Sequence, residues 1–219
     1  MSPASKDMIK INEVFHSIQG ESTFAGLPTV FVRTTGCNLR CNYCDTKYSY
    51  FEGDFIPLNE LHQQIISYQC KNICITGGEP LLQKSIHKLM KQLCDEGYTV
   101  SLETSGSKSI QEVDPRVSTI LDVKTPASGE GDSFLIENLK YLNSLTEFKF
   151  VIVKPPDLEW SENFCRQHGI FGKYTVLFSP SYGEIDCRLL AETILQKKLP
   201  VRLQLQLHKV IWSAEKRGV

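Results

Sequence analysis

Apolar and β-branched residues recur along the chain in short runs, and between those runs the apolar positions fall three and four residues apart. The runs predict strands at TVFVRT (29–34), NICIT (72–76), YTVSLE (98–103), VSTILDV (117–123), FKFVIV (148–153), YTVLF (174–178) and VRLQLQL (201–207). The N-terminal INEVFHSIQG is a further pairing segment. The helical spacing predicts one helix on Leu58, Leu61 and Ile65 and a second on Leu82, Ile86, Leu89, Met90 and Leu93, capped by Gly97. Leu135, Leu139 and Leu142 mark a third, and Leu189, Leu190 and Ile194 a fourth. Met90 and Cys94 read as packing residues of the second helix.

Strands alternating with helices are the mark of repeated βα units around a parallel sheet, the α/β class. A closed eightfold barrel takes about 250 residues. The 219 residues offer six or seven units, several of them short, and no repeat or composition break divides them. The expectation is therefore one domain, residues 1–219, built as an open, partial barrel. Chemistry in such sheets gathers where strands end, so the loops after the strands carry the argument. They read TTGCNLRCNYCDTKY, GGEP (77–80), TSG (104–106), KTPASGEG (124–131), KPPDLEW (154–160), SPSYGE (179–184) and HKVIW (208–212).

Charge narrows the class of partner. A formal net charge of −1 offers nothing to attract nucleic acid or an anionic membrane surface, which leaves a small-molecule substrate. MSPASKDMIK has no apolar stretch behind its charges, and no segment approaches the roughly 18 apolar residues of a membrane span, so a cytoplasmic protein is expected. In that reducing setting, thiols clustered at short spacing bind metal more readily than they form disulfides.

Three of the eight cysteines, Cys37, Cys41 and Cys44, lie within eight positions. Cys70 and Cys74 share a ligand-like spacing but sit at a helix end and inside a strand, so their thiols need not converge. A structural zinc site wants four ligands, usually two pairs, and no second pair matches; Asp45 or a distant His would have to complete it. A disulfide with a spare thiol is a weaker alternative. Three thiolates can instead hold three corners of a [4Fe–4S] cube, leaving one iron open for chemistry. In GGEP, two glycines expose backbone to a ligand, Glu79 adds a carboxylate and Pro80 suits a helix start, although the same four residues also make a plain strand-to-helix turn.

C-x3-C-x2-C after the first barrel strand, with GGEP after the second, resembles the radical S-adenosylmethionine superfamily. FHSIQGE (15–21), FVRTTGCNLRC, CDT (44–46), ITGGEP (75–80), SLETSG (101–106) and QLHK (206–209) resemble its 7-carboxy-7-deazaguanine synthase family, over about residues 11–212. The resemblance implies a partial (βα)6 barrel in which Cys37, Cys41 and Cys44 hold a [4Fe–4S] cluster whose open iron chelates S-adenosylmethionine. It also implies that Gly77, Gly78 and Glu79 position the methionine amino group, and that Tyr43, beside Asp45, lies near the adenine. Ser105, Asp122, Val123 and Lys124 match positions that bind the carboxylate and ribose of S-adenosylmethionine, and Lys154 to Asp157 are assigned likewise. Thr46 matches the one protein ligand of a Mg²⁺ ion, an ion that favours hard oxygens and keeps few of them from the protein. Ile18, Gln19, Gly20, Arg33, Thr76 and His208 match substrate-side positions, Arg33 as a planar fork for a carboxylate.

The implied reaction is that of a lyase in queuosine and 7-deazapurine biosynthesis, which turns 6-carboxy-5,6,7,8-tetrahydropterin into 7-carboxy-7-deazaguanine and ammonia. Hydrogen leaves C6 and later returns from 5′-deoxyadenosine. A flavodoxin or ferredoxin donor and a homodimer are implied with it, the cluster couple lying at roughly −400 mV or lower. A glycyl-radical-enzyme activase shares the small barrel and cysteine motif but lacks SIQGE and QLHK; a non-catalytic iron–sulfur or zinc module is the alternative from another class. SAEKRGV runs on past Trp212, so contacts that chain ends make in relatives are not carried over to it.

Overall fold

In the computed structural model, which describes residues 7–213 and 215–219, the β-branched runs form one nine-stranded sheet. Its strands are β1 (Met8–Ile18), β2 (Pro28–Thr34), β3 (Asp54–Pro57), β4 (Asn72–Gly77), β5 (Thr99–Thr104), β6 (Ser118–Asp122), β7 (Glu147–Ile152), β8 (Thr175–Pro180) and β9 (Arg202–Leu203). The spatial order is β3-β1-β2-β4-β5-β6-β7-β8-β9. Pairs β3-β1 and β1-β2 are antiparallel, and every pair from β2 onward is parallel. With β3 and β9 at its margins the sheet stays open, as the count of short βα units predicts.

Four helices cover the outer face: α1 (Leu58–Ser67), α2 (Ser85–Asp95), α3 (Pro155–Gln167) and α4 (Cys187–Gln196); a short α5 (Leu207–Ile211) ends the fold. Val30, Val32, Ile73, Ile75, Val100 and Leu102 point outward and meet Leu61, Ile65, Leu89 and Leu93. Phe148, Phe150, Ile152, Val176 and Phe178 do the same against Leu158, Cys165, Leu190 and Ile194. Each such side chain contributes about 1.5–3 kcal/mol by leaving water. Among the described residues no helix is long and apolar enough to cross a membrane.

Successive strand residues face opposite ways, so the inner face receives the intervening positions. Those positions carry Arg33 on β2, Thr76 on β4, Glu103 on β5, Asp122 on β6 and Lys149 on β7. Arg33 stands opposite Thr76 and Asp122 opposite Lys149. They form a polar belt on the inner face, and a one-residue slip would drive the whole belt into the hydrophobic layer of the outer face. On β1 the register shifts between Ile11 and Glu13, so Ile11 belongs to the outer core while Glu13 pairs with Arg33. That bulge lets one antiparallel strand serve both layers.

The structure corrects the sequence reading at four places. The helix expected on Leu135, Leu139 and Leu142 is a 3-10 turn, Ile136–Tyr141, because the buried Asn138 side chain spends its amide on Gly106 O, Lys108 O and Ile110 N. KPPDLEW is not a loop but the start of α3: two prolines occupy its first positions, where no N–H is needed, and Asp157 caps it. Only Arg202 and Leu203 of VRLQLQL pair as a strand, since Gln204 and Gln206 turn their amides to Ser22 and Glu21. The β3 strand falls in a stretch read as loop.

Candidate active site

The inner belt and the strand-end loops enclose a cavity of about 540 Å³. Cys37, Cys41 and Cys44 all line it, and all three are free thiols. Their loop has no regular structure, and its shape is held from outside. Asn42 N donates to Ser128 O (2.9 Å), Arg40 N donates to Glu130 Oε1 (2.6 Å), and Arg40 Nη1 reaches Cys37 O (2.9 Å) and Leu39 O (2.7 Å). The thiols therefore stand in a formed cradle rather than a floppy segment. Burial raises the Cys37 thiol and pushes Cys41 up to about 11, so both stay protonated until a cation displaces the proton. Thr46 Oγ1 lies 3.7 Å from Cys44 Sγ on the same wall.

The GGEP loop packs directly on the cysteine loop. Gly78 N donates to Thr34 O (3.1 Å) and Glu79 N to Gly36 O (2.7 Å). Gly77 and Gly78 line the cavity, but the Glu79 carboxylate lies beneath it, fully buried. It accepts from Thr104 Oγ1 (2.7 Å), Ser105 N (2.9 Å), Ser105 Oγ (2.6 Å) and Leu81 N (3.1 Å). Glu79 thus braces two loops against each other, and Ser105 reaches the cavity through that brace.

Tyr43 forms part of the wall; burial raises its phenol, and its hydroxyl is buried without a partner. Lys124 Nζ sits 5.7 Å from the centre of its ring. Lys124 also pairs with Asp122 at 2.9 Å. Burial alone would raise Asp122, but the charges of Lys124 and Lys149 outweigh it and hold the carboxyl at about 2. Asp45 pairs with Lys209 at 2.7 Å.

On the opposite side stand Ile18, Gln19, Gly20, Arg33, Thr76 and His208. Arg33 gives its Nε to Glu13 (2.7 Å), which leaves the terminal guanidinium nitrogens for the cavity. Thr76 Oγ1 and Gln19 Nε2 both reach the Glu103 carboxylate, at 2.9 and 3.4 Å. Burial and the charge of Glu21 raise Glu103. Burial lowers His208 against the pull of Glu21 and Asp45, so its imidazole is neutral in the physiological range.

Val123, Lys154 and Asp157 do not line the cavity. Val123 belongs to the outer core. Lys154 precedes α3, and the buried Asp157 carboxylate accepts from Val153 N (3.1 Å), Lys154 N (3.2 Å) and Ala127 N (3.0 Å). Asp157 is a helix cap that also anchors the loop after β6. Asp157→Ala is therefore expected to cost about 2 kcal/mol, a fall in Tm of roughly 4–8 °C, measured by thermal unfolding. Affinity for S-adenosylmethionine should move far less.

The sequence of this cavity's chain has close relatives. It is 43% identical to the 7-carboxy-7-deazaguanine synthase of Chlorobaculum tepidum over 96% of this chain and 97% of that protein. It is 42% identical to the synthase of Koribacter versatilis over 96% and 100%, and 40% identical to that of Thermoplasma acidophilum over 93% and 97%. The chain belongs to the 7-carboxy-7-deazaguanine synthase family. The radical SAM superfamily pattern matches residues 31–117, from β2 to the approach to β6. The crystal structure of QueE from Escherichia coli shares the fold with a TM-score of 0.77 at 24% identity, covering 91% of this chain and 94% of that one. Streptococcus suis SuiB bound to precursor peptide SuiA shares it more distantly, with a TM-score of 0.58 at 14% identity over 80% of this chain and 47% of that one.

The donor set of this synthase-family cavity fits a [4Fe–4S] cluster. Three free thiols border one space, and the Tyr43 hydroxyl on the same lining is buried without a hydrogen-bond partner among the described residues. Among the described residues no three His, Cys, Asp or Glu side chains converge on a single ion position, and ligands at separate corners of a cube need not.

Several lining residues escape the sequence reading: Glu21, Tyr48, Glu103, Lys149, Gln206 and Lys209. Glu21, Glu103, Gln206 and Lys209 stand inside the quoted SIQGE, SLETSG and QLHK segments, one or two positions from residues that were singled out. The segment after Trp212 also returns to the cavity, with Lys216 to Val219 on its wall and Arg217 stacked 3.8 Å from the centre of the Tyr48 ring.

Proposed function

We propose that this cavity converts 6-carboxy-5,6,7,8-tetrahydropterin to 7-carboxy-7-deazaguanine and ammonia, a step of queuosine and 7-deazapurine biosynthesis. The observation that carries the reading is that the three-thiol loop and the Arg33, Thr76 and His208 wall face one enclosed space within a chain of this family. When bound, the cluster and S-adenosylmethionine supply one-electron radical chemistry; the chain supplies binding, orientation and exclusion of water.

Cys37, Cys41 and Cys44 hold the cluster, and Gly77 and Gly78 present backbone to the methionine end of S-adenosylmethionine. Tyr43 offers its ring to the adenine, and Asp122 and Lys124 serve the ribose and carboxylate. The free nitrogens of Arg33 pair with the pterin carboxylate, while the half-buried Glu103, backed by Gln19 and Thr76, accepts from the pterin's ring N–H groups. The Thr46 hydroxyl lends a hard oxygen to Mg²⁺, whose remaining ligands are water and the substrate carboxylate. The protein works in the cytoplasm as a homodimer and takes electrons from a flavodoxin or ferredoxin.

Anaerobic incubation of reconstituted protein with S-adenosylmethionine, dithionite, Mg²⁺ and the tetrahydropterin is expected to yield the deazaguanine by mass spectrometry. No product from a preparation with intact cluster refutes the reading. In the same assay Arg33→Met should raise KM about 10- to 100-fold, the loss of one charge-assisted pair, with a smaller change in kcat.

A further inference from the structure

The two walls of the cavity are joined by a buried chain of ions. Lys124 Nζ lies 2.9 Å from Asp122 Oδ1, and Lys149 Nζ lies 3.2 Å from Asp122 Oδ2. The same Lys149 ammonium pairs with Glu21 Oε2, and the other oxygen of Glu21 accepts from Gln206 Nε2 at 2.7 Å. Asp122 belongs to the nucleoside wall. Glu21 directly follows the Ile18–Gly20 segment of the pterin wall, and Gly20 O in turn accepts from Leu207 N, next to His208. Lys149 is only 7% exposed, with Asp122 on one side and Glu21 on the other.

A buried ammonium placed only to stabilise the fold needs one well-matched carboxylate, and an apolar residue of similar volume often serves as well. This one is shared. Burial alone would lower the amine, but the charges of Asp122, Glu21 and Glu103 outweigh it and keep Lys149 charged. Asp122 and Glu21 draw on the same three N–H groups, so whatever satisfies one of them releases Lys149 toward the other. Ribose hydroxyls donating to Asp122 would do that from the nucleoside side. Lys149 would then bind Glu21 more fully and fix that carboxylate as an acceptor on the pterin side.

We propose that Lys149 is a positioning residue that couples the two ligands, so that S-adenosylmethionine bound against Asp122 tightens binding of the pterin against Glu21, and the reverse. The inference rests on the substrate reading given above. Linkage requires the effect to be equal in both directions.

The test is calorimetric titration of cluster-loaded, unreduced enzyme with S-adenosylmethionine, in the absence and presence of a non-reacting oxidised pterin-6-carboxylate. Wild-type protein is expected to bind the nucleoside about 10-fold more tightly with the pterin present, within the usual range of coupling. In Lys149→Met the ratio of the two affinities should fall to about 1, and Lys149→Arg should restore much of it. A merely structural lysine would lower both affinities, or the Tm, and leave their ratio unchanged. If Lys149→Met does not fold, Asp122→Asn and Glu21→Gln each cut one arm of the chain, and each should bring the ratio to about 1. A ratio near 1 in wild type with both ligands binding, or a wild-type ratio in a severed variant, overturns the inference alone. Failure of the pterin to bind any form overturns the substrate reading, and the inference falls with it.

Discussion

Cys44→Ala protein, reconstituted anaerobically with iron and sulfide, is expected to form no deazaguanine above the uncatalysed background and to lose most of the roughly four irons per chain. Loss of one thiolate removes one of only three protein anchors, and no neighbouring side chain can replace it. Thr46 Oγ1 contacts the sulfur at 3.7 Å, and a hydroxyl is a hard donor poorly matched to an iron–sulfur corner. The fold should scarcely notice. Cys44 is half-buried at the rim, and its loop is braced through the backbone of Asn42 and the guanidinium of Arg40, so the metal-free variant should unfold within about 1 kcal/mol of wild type. Cys70→Ala is the control: its thiol contacts Pro28 O at 3.2 Å, away from the cavity, and its iron content and activity should be unchanged. Full iron content and turnover in Cys44→Ala would remove the basis for a three-cysteine cluster.

The second large effect is expected from the smallest substitution. Gly78 has an ordinary backbone conformation, so Gly78→Ala imposes no torsional penalty; the obstacle is space. A Cβ there would collide with the Gly36 carbonyl oxygen, lie 2.6 Å from its carbon, and stand 3.1 Å from Cys37 Cβ. The carbonyl cannot swing aside freely because Glu79 N donates to it at 2.7 Å. The methyl must therefore push the two loops apart. Overpacking of this kind costs about 1–3 kcal/mol, or roughly 2–12 °C in Tm. The site should suffer more than the fold, since the displaced residue is the neighbour of Cys37. Affinity for S-adenosylmethionine is expected to fall at least about 10-fold and cluster occupancy to drop with it, readable from the 4Fe–4S absorbance per chain. Normal occupancy and affinity in Gly78→Ala would mean that the loops are not in the contact described.

The strands and their order of appearance are legible in the sequence because β-branched runs separated by glycine and proline are strong local signals, and the parallel sheet follows from their alternation with helices. The cysteine loop is legible for a different reason: spacing alone limits what three thiols can do. What escapes is the inward face. FKFVIV reads as a strand whether or not Lys149 matters, and only the pairing of Lys149 with Asp122 across β6 and β7 shows which way it points. Glu103 sits beside Thr104 in SLETSG, and the period-2 rule becomes informative there only when the outer layer is known to be Val100 and Leu102. The error at KPPDLEW has a local cause. Prolines are read as breakers, yet two of them followed by an aspartate make a helix start, and the Asp157 carboxylate serves α3 rather than a ligand. The tail beyond Trp212 carries no periodicity at all, and its return to the cavity depends on long-range contacts such as Arg217 over Tyr48.

The offset on β1 has a bearing on how this chain tolerates length changes. Removing one residue from a paired strand ordinarily inverts every side chain beyond the gap. Here the extra residue already sits at Asn12, whose side chain is tied to Glu52 O at 2.9 Å. Deleting Asn12 would remove the bulge and set Glu13 directly after Ile11 in an uninterrupted alternation, with Glu13 still on the inner face and Phe15 still on its stack with Phe31. Position 12 is therefore a place where β1 can shed a residue without changing which side chains reach the cavity, and the strand should tolerate loss of Asn12 far better than loss of a paired residue such as Val14.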